Sequence, residues 1–425
     1  MTDMLTHAEE ERLLGRPVES LLAAADRAAF AGRTCLITGA GGTVGSELAR
    51  QIAACGPTRL VLVEQSELAL FRIEQALAEL APGIAIEPVL CDVTRTASIA
   101  RVMRRVRPDI VFHAAAYKHV TMAERAICAA ARVNVLGTSA VLAAAHEVGA
   151  RFVLISTDKA AAPHSVMGAT KRLAEQVVLG TYADFRRPIV VRFGNVLASS
   201  GSFVETMRER IRRGQSITLT DPEATRFFMT VSEAASLVLK AATLAVGGET
   251  FWLDMGPQVR IGDLADRLQA MAAEQGLPAV PVEIVGLRPG EKVVEELASQ
   301  GIRLEKTSDD RVWVAHQATT RTSASEAWLR TLRRAVARDD TYGVMTALTL
   351  AIPDFVPSEQ AWSLARVGRQ QLTVTDRVAR PRVVARRVAA AGRSSGLGTA
   401  LPAGRQAPRL RVVQASAGRS AWLRS

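Results

Sequence analysis

Cysteine, tyrosine and long apolar runs are scarce in this 425-residue chain. Its four cysteines, at 35, 55, 91 and 128, follow neither metal-ligand nor disulfide-framework spacing. No metal site is expected, and a reducing cytoplasm fits best. No run of about 18 apolar residues occurs, which predicts no transmembrane segment. Where a secretory signal would be basic and then apolar, the first thirty residues carry Glu9-Glu10-Glu11. Residues 366–425 lack lysine and glutamate, and Trp422 is their only aromatic. Thirteen arginines stand there against Asp376, a net +12 within a whole-chain +11, so the first 365 residues sum to about −1. The basicity belongs to the tail. Such a tail can attract RNA or anionic lipid, but it lacks the rings that stack on bases. A low-order extension is expected.

What is present is a repeated strand–helix alternation. Short apolar strands are predicted at Thr34–Thr38, Leu60–Val63, Pro88–Leu90, Ile110–His113, Phe152–Ile155 and Ile189–Phe193, with helical patterns between them. This implies an α/β fold built on a doubly wound parallel sheet. After Pro188 the alternation loosens into helices at 201–216 and 232–245, then a strand and helix in 249–271, a strand at Val282–Val285 and a helical hairpin over 320–358. The expected organisation is an N-terminal helical linker at 1–30, a dinucleotide-binding domain at 31–195 and a smaller substrate-binding lobe at 196–318. A C-terminal helical segment at 319–360 and the basic tail at 361–425 complete it.

Between the first strand and its helix lies Gly39-Ala40-Gly41-Gly42-Thr43-Val44-Gly45. Glycines let a backbone approach a pyrophosphate closely, and a helix amino end favours its charge. Tight turns alone also produce such clusters. The second strand ends in Glu64, nineteen residues after Gly45, where a carboxylate can accept both ribose hydroxyls of an adenosine and repel a 2′-phosphate. NAD is therefore favoured over NADP, although Glu64 also reads as a solvated strand end and Arg72 could reverse the preference. Asp92, before Val93, is placed to meet the adenine edge, and Ala114 and Ala115 are small enough to let the chain pass the cofactor.

The densest chemistry lies in Ile155–Lys171, ISTDKAAAPHSVMGATK. A hydroxyl, a carboxylate and two amines (Thr157, Asp158, Lys159 and Lys171) sit just past a strand end, where open α/β sheets bind ligands. A structural Asp–Lys ion pair is the plainer alternative. In the later lobe, Arg226, Arg288 and Lys292 suit a diphosphate, though each singly reads as a surface charge.

These stretches resemble the extended short-chain dehydrogenase/reductase superfamily, a Rossmann-type fold, and within it the UDP-N-acetylglucosamine 4,6-dehydratases of polysaccharide biosynthesis. The likeness rests on TGAGGTVGSEL, VFHAAAYKHV, NVLGT, STDKA with VMGATKRLAE, VRFGNVL, TRFFMT and LRPGEKVVEEL, in family order over roughly residues 14–358. LLGRPVE resembles the linker preceding the catalytic domain in large membrane-bound members, so a soluble short form is expected. The resemblance implies an internal redox cycle through bound NAD on a UDP-sugar, and a homo-oligomer. It makes Asp158 the acid for the carbon-6 hydroxyl, Lys159 the base at carbon 5, Thr157 the group that orients the carbon-4 hydroxyl and Lys171 a ligand of the nicotinamide ribose. Asn195, Arg226, Arg288 and Glu291 are candidates for the UDP moiety, and Lys118 for the sugar.

Two departures stand out. Met167 occupies the place of the superfamily's tyrosine, four residues before Lys171, and no other tyrosine replaces it: Tyr117, Tyr182 and Tyr342 are followed four residues on by Thr121, Arg186 and Thr346. The resemblance extends to a subgroup with Met there; for this chain the carbon-4 proton is then expected to go to Asp158, directly or through Thr157 or water. Ala162 stands before Pro163 where the family has Asn, which loosens the inference of an N-acetyl sugar. The competing readings are a 4-epimerase or reductase on the same fold and a non-catalytic nucleotide- or RNA-binding protein.

Overall fold

A computed structural model of the chain describes residues 5–18, 22–181, 188–295, 303–316 and 324–378. The strands foreseen in the first half all form: β1 (Thr34–Thr38), β2 (Arg59–Glu64), β3 (Ala85–Leu90), β4 (Ile110–His113), β5 (Arg151–Ile155) and β6 (Ile189–Arg192). Later come β7 (Asn195–Val196), β8 (Ile217–Leu219), β9 (Thr225–Met229), β10 (Thr250–Leu253), β11 (Gln258–Arg260), β12 (Val282–Ile284), β13 (Arg303–Lys306) and β14 (Val312–His316). The main sheet has nine strands in the order β13-β14-β10-β6-β5-β4-β1-β2-β3. From β10 to β3 every pairing is parallel, whereas β14 and β13 add an antiparallel edge.

Alternation along the strands divides the core between two faces. Leu36, Val61, Val111 and Leu154 face helices Thr96–Val106 and Val166–Thr181, while Ile37, Leu62, Phe112 and Val153 face Thr43–Ala53 and Val231–Leu244. Both faces are covered, as an all-parallel sheet requires. The strand order reverses between β1 and β4, which opens a crevice at their carboxyl ends.

Three expectations need correction. The proposed division at 195/196 is not a division in space, because β10, β13 and β14 return to the main sheet after the lobe has begun. The smaller lobe consists of β7-β9-β11 and β8-β12 with helices Phe203–Arg212 and Ile261–Glu274. The 1–30 segment is not a linker: helix His7–Leu14 buries Leu13 and Leu14 in the lobe's core, and Arg16 pairs with the buried Glu233 at 2.7 Å. Regular structure also continues past 361, since helix Glu359–Val378 buries Ala361 and Ala365 against the main core. The arginine-rich residues 379–425 lie outside the described residues. Finally, one stretch, Ile127–Glu147, is a 21-residue helix long and apolar enough to cross a membrane, but 72% of its apolar window is buried inside the fold. It is a core helix, kept apolar by its position over the sheet.

Beneath the carboxyl end of β5 the core holds an ion pair. Glu175 accepts from Arg192 Nε at 2.8 Å and Nη2 at 2.5 Å, and from Ser156 Oγ at 2.6 Å. Arg192 also lies over the Trp252 ring, 5.4 Å from its centroid. Burial pushes the Glu175 carboxyl up, but Arg192, Arg172 and Ser156 outweigh it and hold it below its ordinary range. The stability this contributes is present above the unfolded-state value and is lost as pH falls through the folded one.

Glu175→Gln leaves a guanidinium charge buried without its counterion, a loss of about 3–5 kcal/mol. It should appear as a lower urea midpoint at neutral pH. Replacing both partners together, Glu175→Leu with Arg192→Met, should cost distinctly less. Equal losses in the two proteins would mean the pair does not hold this region.

Candidate active site

Strand β5, paired on both sides, carries Ser156–Lys159 to the carboxyl edge of the sheet. A single 3-10 turn, Asp158–Ala160, follows, with Thr157 at its amino cap. Asp158 is only 2% exposed. Its Oδ1 accepts from Thr157 Oγ1 at 2.8 Å, from the Lys159 backbone N–H at 2.8 Å and from Lys159 Nζ at 3.1 Å. Its Oδ2 is buried and has no hydrogen-bond partner. A buried carboxylate oxygen left in this state carries a desolvation cost that a ligand could relieve.

Lys159 Nζ also donates to Asn195 Oδ1 at 3.0 Å, and Glu295 Oε1 lies 3.6 Å away. Burial works against the ammonium, but Asp158 and then Glu295 outweigh it and raise the Lys159 pKa above its ordinary value. In the free protein Lys159 therefore holds its proton. Lys171 behaves oppositely. It donates to the Ile155 carbonyl at 2.5 Å, and burial, partly offset by Glu175, lowers its pKa to about 8.

The helix bearing Lys171 approaches through Gly168, where an added Cβ would stand 2.4 Å from the Lys159 carbonyl oxygen. This explains the glycine in MGATK: it lets both lysines converge on one strand end. Met167 is 4% exposed and packs in the hydrophobic cluster on that face of the sheet. It stands four residues before Lys171 on the same helix, and its thioether brings no exchangeable proton to that position.

A cleft of about 260 Å³ lies at the crevice, lined among others by Gly39, Gly41, Gly42, Glu64, Ala114 and Ala115. Gly39 has a positive φ of 67°, and a Cβ there would meet the Ala115 nitrogen at 2.7 Å. Gly45 lets the helix press on the turn, since its Cβ would fall 2.0 Å from the Gly39 oxygen. Gly42, at the amino cap of helix Thr43–Ala53, offers no side chain to the helix's first N–H groups. Those groups can receive an anion. The donor set therefore fits a dinucleotide. Glu64 accepts from the backbone N–H groups of Gly41, Gln65 and Ser66 at 3.2, 2.8 and 3.0 Å. It stands at the cleft while bracing the glycine turn. Thr43 bonds Ser200 across the mouth at 3.2 Å, and Val44 is half-buried on the same helix. Val93 lines the cleft, whereas Asp92 caps its own turn through the Thr94 N–H at 2.8 Å.

The later-lobe candidates separate. Asn195 joins the Asp158–Lys159 cluster directly. Arg226 is buried, and its guanidinium donates to the carbonyls of Thr225, Val293 and Lys292 at 2.8, 2.9 and 2.6 Å. It clamps the segment after RPGEK rather than facing open space. Arg288 is exposed and shares a tight turn with Glu291, whose carboxylate accepts the Arg288 N–H at 3.1 Å. Lys118 is exposed beside Tyr117.

Two site residues carried no sequence role. Glu295 was visible only as part of VVEEL, and nothing local to it reveals that it meets Lys159. Asn134 sits in a π-helical turn, Arg132–Gly137, and bonds Tyr117 N at 2.7 Å, Tyr117 O at 3.1 Å and Thr170 Oγ1 at 3.0 Å. It fixes the β4 loop to the helix carrying Lys171.

Residues 35–317 match the family described as "Polysaccharide biosynthesis protein". The capsular polysaccharide biosynthesis protein CapD of Staphylococcus aureus is 44% identical over 70% of this chain, and the chain spans only 50% of that protein's length. A UDP-glucose 4-epimerase of Rickettsia conorii is 32% identical, with 64% of this chain and 79% of the other covered. Among solved structures, Pen from Bacillus thuringiensis superposes with a TM-score of 0.64 at 28% identity, over 68% of this chain and 90% of that one.

Gly39→Ala should combine left-handed strain of about 1–2 kcal/mol with the clash against Ala115. The expected result is a lower urea midpoint at unchanged slope, and weaker retention on an immobilised-nucleotide resin. Stability equal to that of the unaltered protein would show that the turn relaxes freely.

Proposed function

Because the chain belongs to the polysaccharide biosynthesis protein family, whose fold is that of the extended short-chain dehydrogenases/reductases, we propose that it is a nucleotide-sugar 4,6-dehydratase. It converts UDP-GlcNAc to a UDP-4-keto-6-deoxy-HexNAc with loss of water. The observation that carries this reading is the Thr157–Asp158–Lys159 turn: a hydroxyl bonded to a buried carboxylate with one free oxygen, an amine beside it, and only a thioether at 167. NAD fits the cleft, with the glycine turn and the start of helix Thr43–Ala53 for its pyrophosphate and Glu64 for a ribose. A bound nicotinamide would supply a hydride acceptor at sugar carbon 4 and a donor at carbon 6.

The chain's own groups then move three protons. Thr157 takes the carbon-4 hydroxyl proton and passes its own to Asp158, along the 2.8 Å bond already formed. Met167 cannot take part, because a thioether has no exchangeable proton. Once Asp158 is neutral, Lys159 loses the nearer of its two carboxylate partners. Its pKa falls, it gives up one ammonium proton to water, and the neutral amine becomes a base for the carbon-5 proton when the ketone has acidified it. Asp158 returns its proton to the departing carbon-6 hydroxyl, so the proton gained at carbon 4 leaves as part of water. Lys159 closes the cycle by protonating carbon 5. Lys171, with its lowered pKa, lies behind β5 to orient and polarise the cofactor ribose. The lobe bearing Asn195, Arg288 and Glu291 takes the UDP portion, with Lys118 near the sugar.

Proton NMR of a UDP-GlcNAc reaction in heavy water, with NAD added, tests the reading. Dehydration with deuterium at carbon 5 is expected. An isobaric product would mean a 4-epimerase, and no product would sink the reaction class. Lys159→Met should still reduce bound NAD, read at its absorbance near-ultraviolet band, yet lose carbon-5 exchange by a factor on the order of 10² or more. Asp158→Asn should slow NAD reduction itself. A wild-type rate there would remove Asp158 as the first proton acceptor. Because Lys159 is protonated when free, carbon-5 exchange should rise with pH through neutrality and level off as its pKa is passed.

A further inference from the structure

Glu295 belongs to none of the motifs read as catalytic, yet it is 7% exposed and its carboxylate lies 3.6 Å from Lys159 Nζ, a second acidic partner beside Asp158 at 3.1 Å. Its placement is built by three separate holds. The Thr225 N–H donates to the Val293 carbonyl at 2.9 Å, extending β9 alongside this segment. Arg226 gathers the Lys292 and Val293 carbonyls, and its Nε lies 3.7 Å from Glu295 Oε1. Gln258 Nε2 donates to the Glu295 carbonyl at 2.9 Å and is itself fixed by Thr225 Oγ1 at 2.6 Å. An ammonium has three protons, and three oxygens surround this one: Asp158 Oδ1, Asn195 Oδ1 and Glu295 Oε1. Two are carboxylates, and among the described residues Arg226 is the cation whose charge acts against the ammonium.

We propose that Glu295 is a positioning residue for Lys159, completing an oxygen cage that aligns the amine beside Asp158 and keeps it charged until the reaction neutralises Asp158. The inference deepens the proposed dehydration and rests on it for its purpose, although the cage itself is a property of the resting protein. It explains why two acidic partners are needed. Asp158 is a transient partner whose charge disappears during turnover, while Glu295 is constant. With both present the ammonium is locked. With only Glu295, at the longer distance, the ammonium can release a proton to water, take the carbon-5 proton as a neutral amine and hand that proton back when carbon 5 is reprotonated.

The test reads Lys159 directly, without turnover. Full-length protein is labelled with a trace of acetic anhydride across a pH series, and acetylation of the Lys159 peptide is quantified by mass spectrometry. Unaltered Lys159 should label with a midpoint above that of ordinary surface lysines. In Glu295→Gln the midpoint should move down by about one pH unit, or roughly tenfold more labelling at a fixed pH below it. Glu295→Asp, which keeps the charge, should stay near the unaltered protein. Gln258→Ala, which frees the Glu295 backbone without touching its charge, should shift the midpoint the same way by less, and supplies the answer if Glu295→Gln does not fold. An unchanged midpoint in Glu295→Gln, or in Gln258→Ala if that variant must decide, would overturn the proposal. So would an equal shift in the exposed control Glu283→Gln. If the unaltered protein dehydrates no UDP-sugar, the reaction proposed above falls, whereas the labelling midpoints still decide whether Glu295 holds Lys159.

Discussion

The site depends on the buried ion pair of Glu175 with Arg192. Two charges removed from water are tolerated only with close, multiple hydrogen bonds, and here a two-point guanidinium contact, Ser156 and the face of Trp252 provide them. The pair ties helix Val166–Thr181 to β6, and Ser156 draws in the end of β5. Lys171 and the Thr157–Lys159 turn thus sit on elements bolted to each other from below. A site whose chemistry requires protons to pass over hydrogen-bond distances needs such rigidity, because an error of one ångström in placing a group is costly in rate.

Above that foundation, electrostatics assign opposite duties to two lysines twelve residues apart. Lys171 is buried with its nearest charged neighbour, Glu175, already committed to arginines, so burial prevails and its pKa falls to about 8. Lys159 is also buried but faces two carboxylates, and there the charges prevail. Same residue type, same strand end, opposite outcomes. The difference comes from which carboxylates have prior partners.

Much of this was legible in the chain. The six strands of the first half were marked by short apolar runs alternating with helical patterns, and Thr157, Asp158 and Lys159 were found because they adjoin one another in sequence. What escaped was assembled over distance. The lobe could not be delimited from local pattern, since β10, β13 and β14 look like lobe strands until their partners are known. Arg226 read as a phosphate ligand because sequence cannot show that backbone carbonyls already take up its donors. Glu295 was invisible for the converse reason: its importance lies in a contact with a residue 136 positions earlier. Met167 looked like a lesion in a catalytic motif, and in the fold it is ordinary core.

The π-helical turn at Arg132–Gly137 carries a consequence for insertions and deletions. Such a turn contains one residue more than the α-helical path needs, and that surplus residue sets the rotation of everything around Asn134. Deleting a residue of the turn other than Asn134 would restore a smooth α-helical path, leaving the flanks nearly aligned but removing the bulge that aims Asn134. Asn134 would then face away from Tyr117, and the β4 loop would lose its anchor. A one-residue gap here would spare the flanking helices yet free the β4 loop from the helix that bears Lys171.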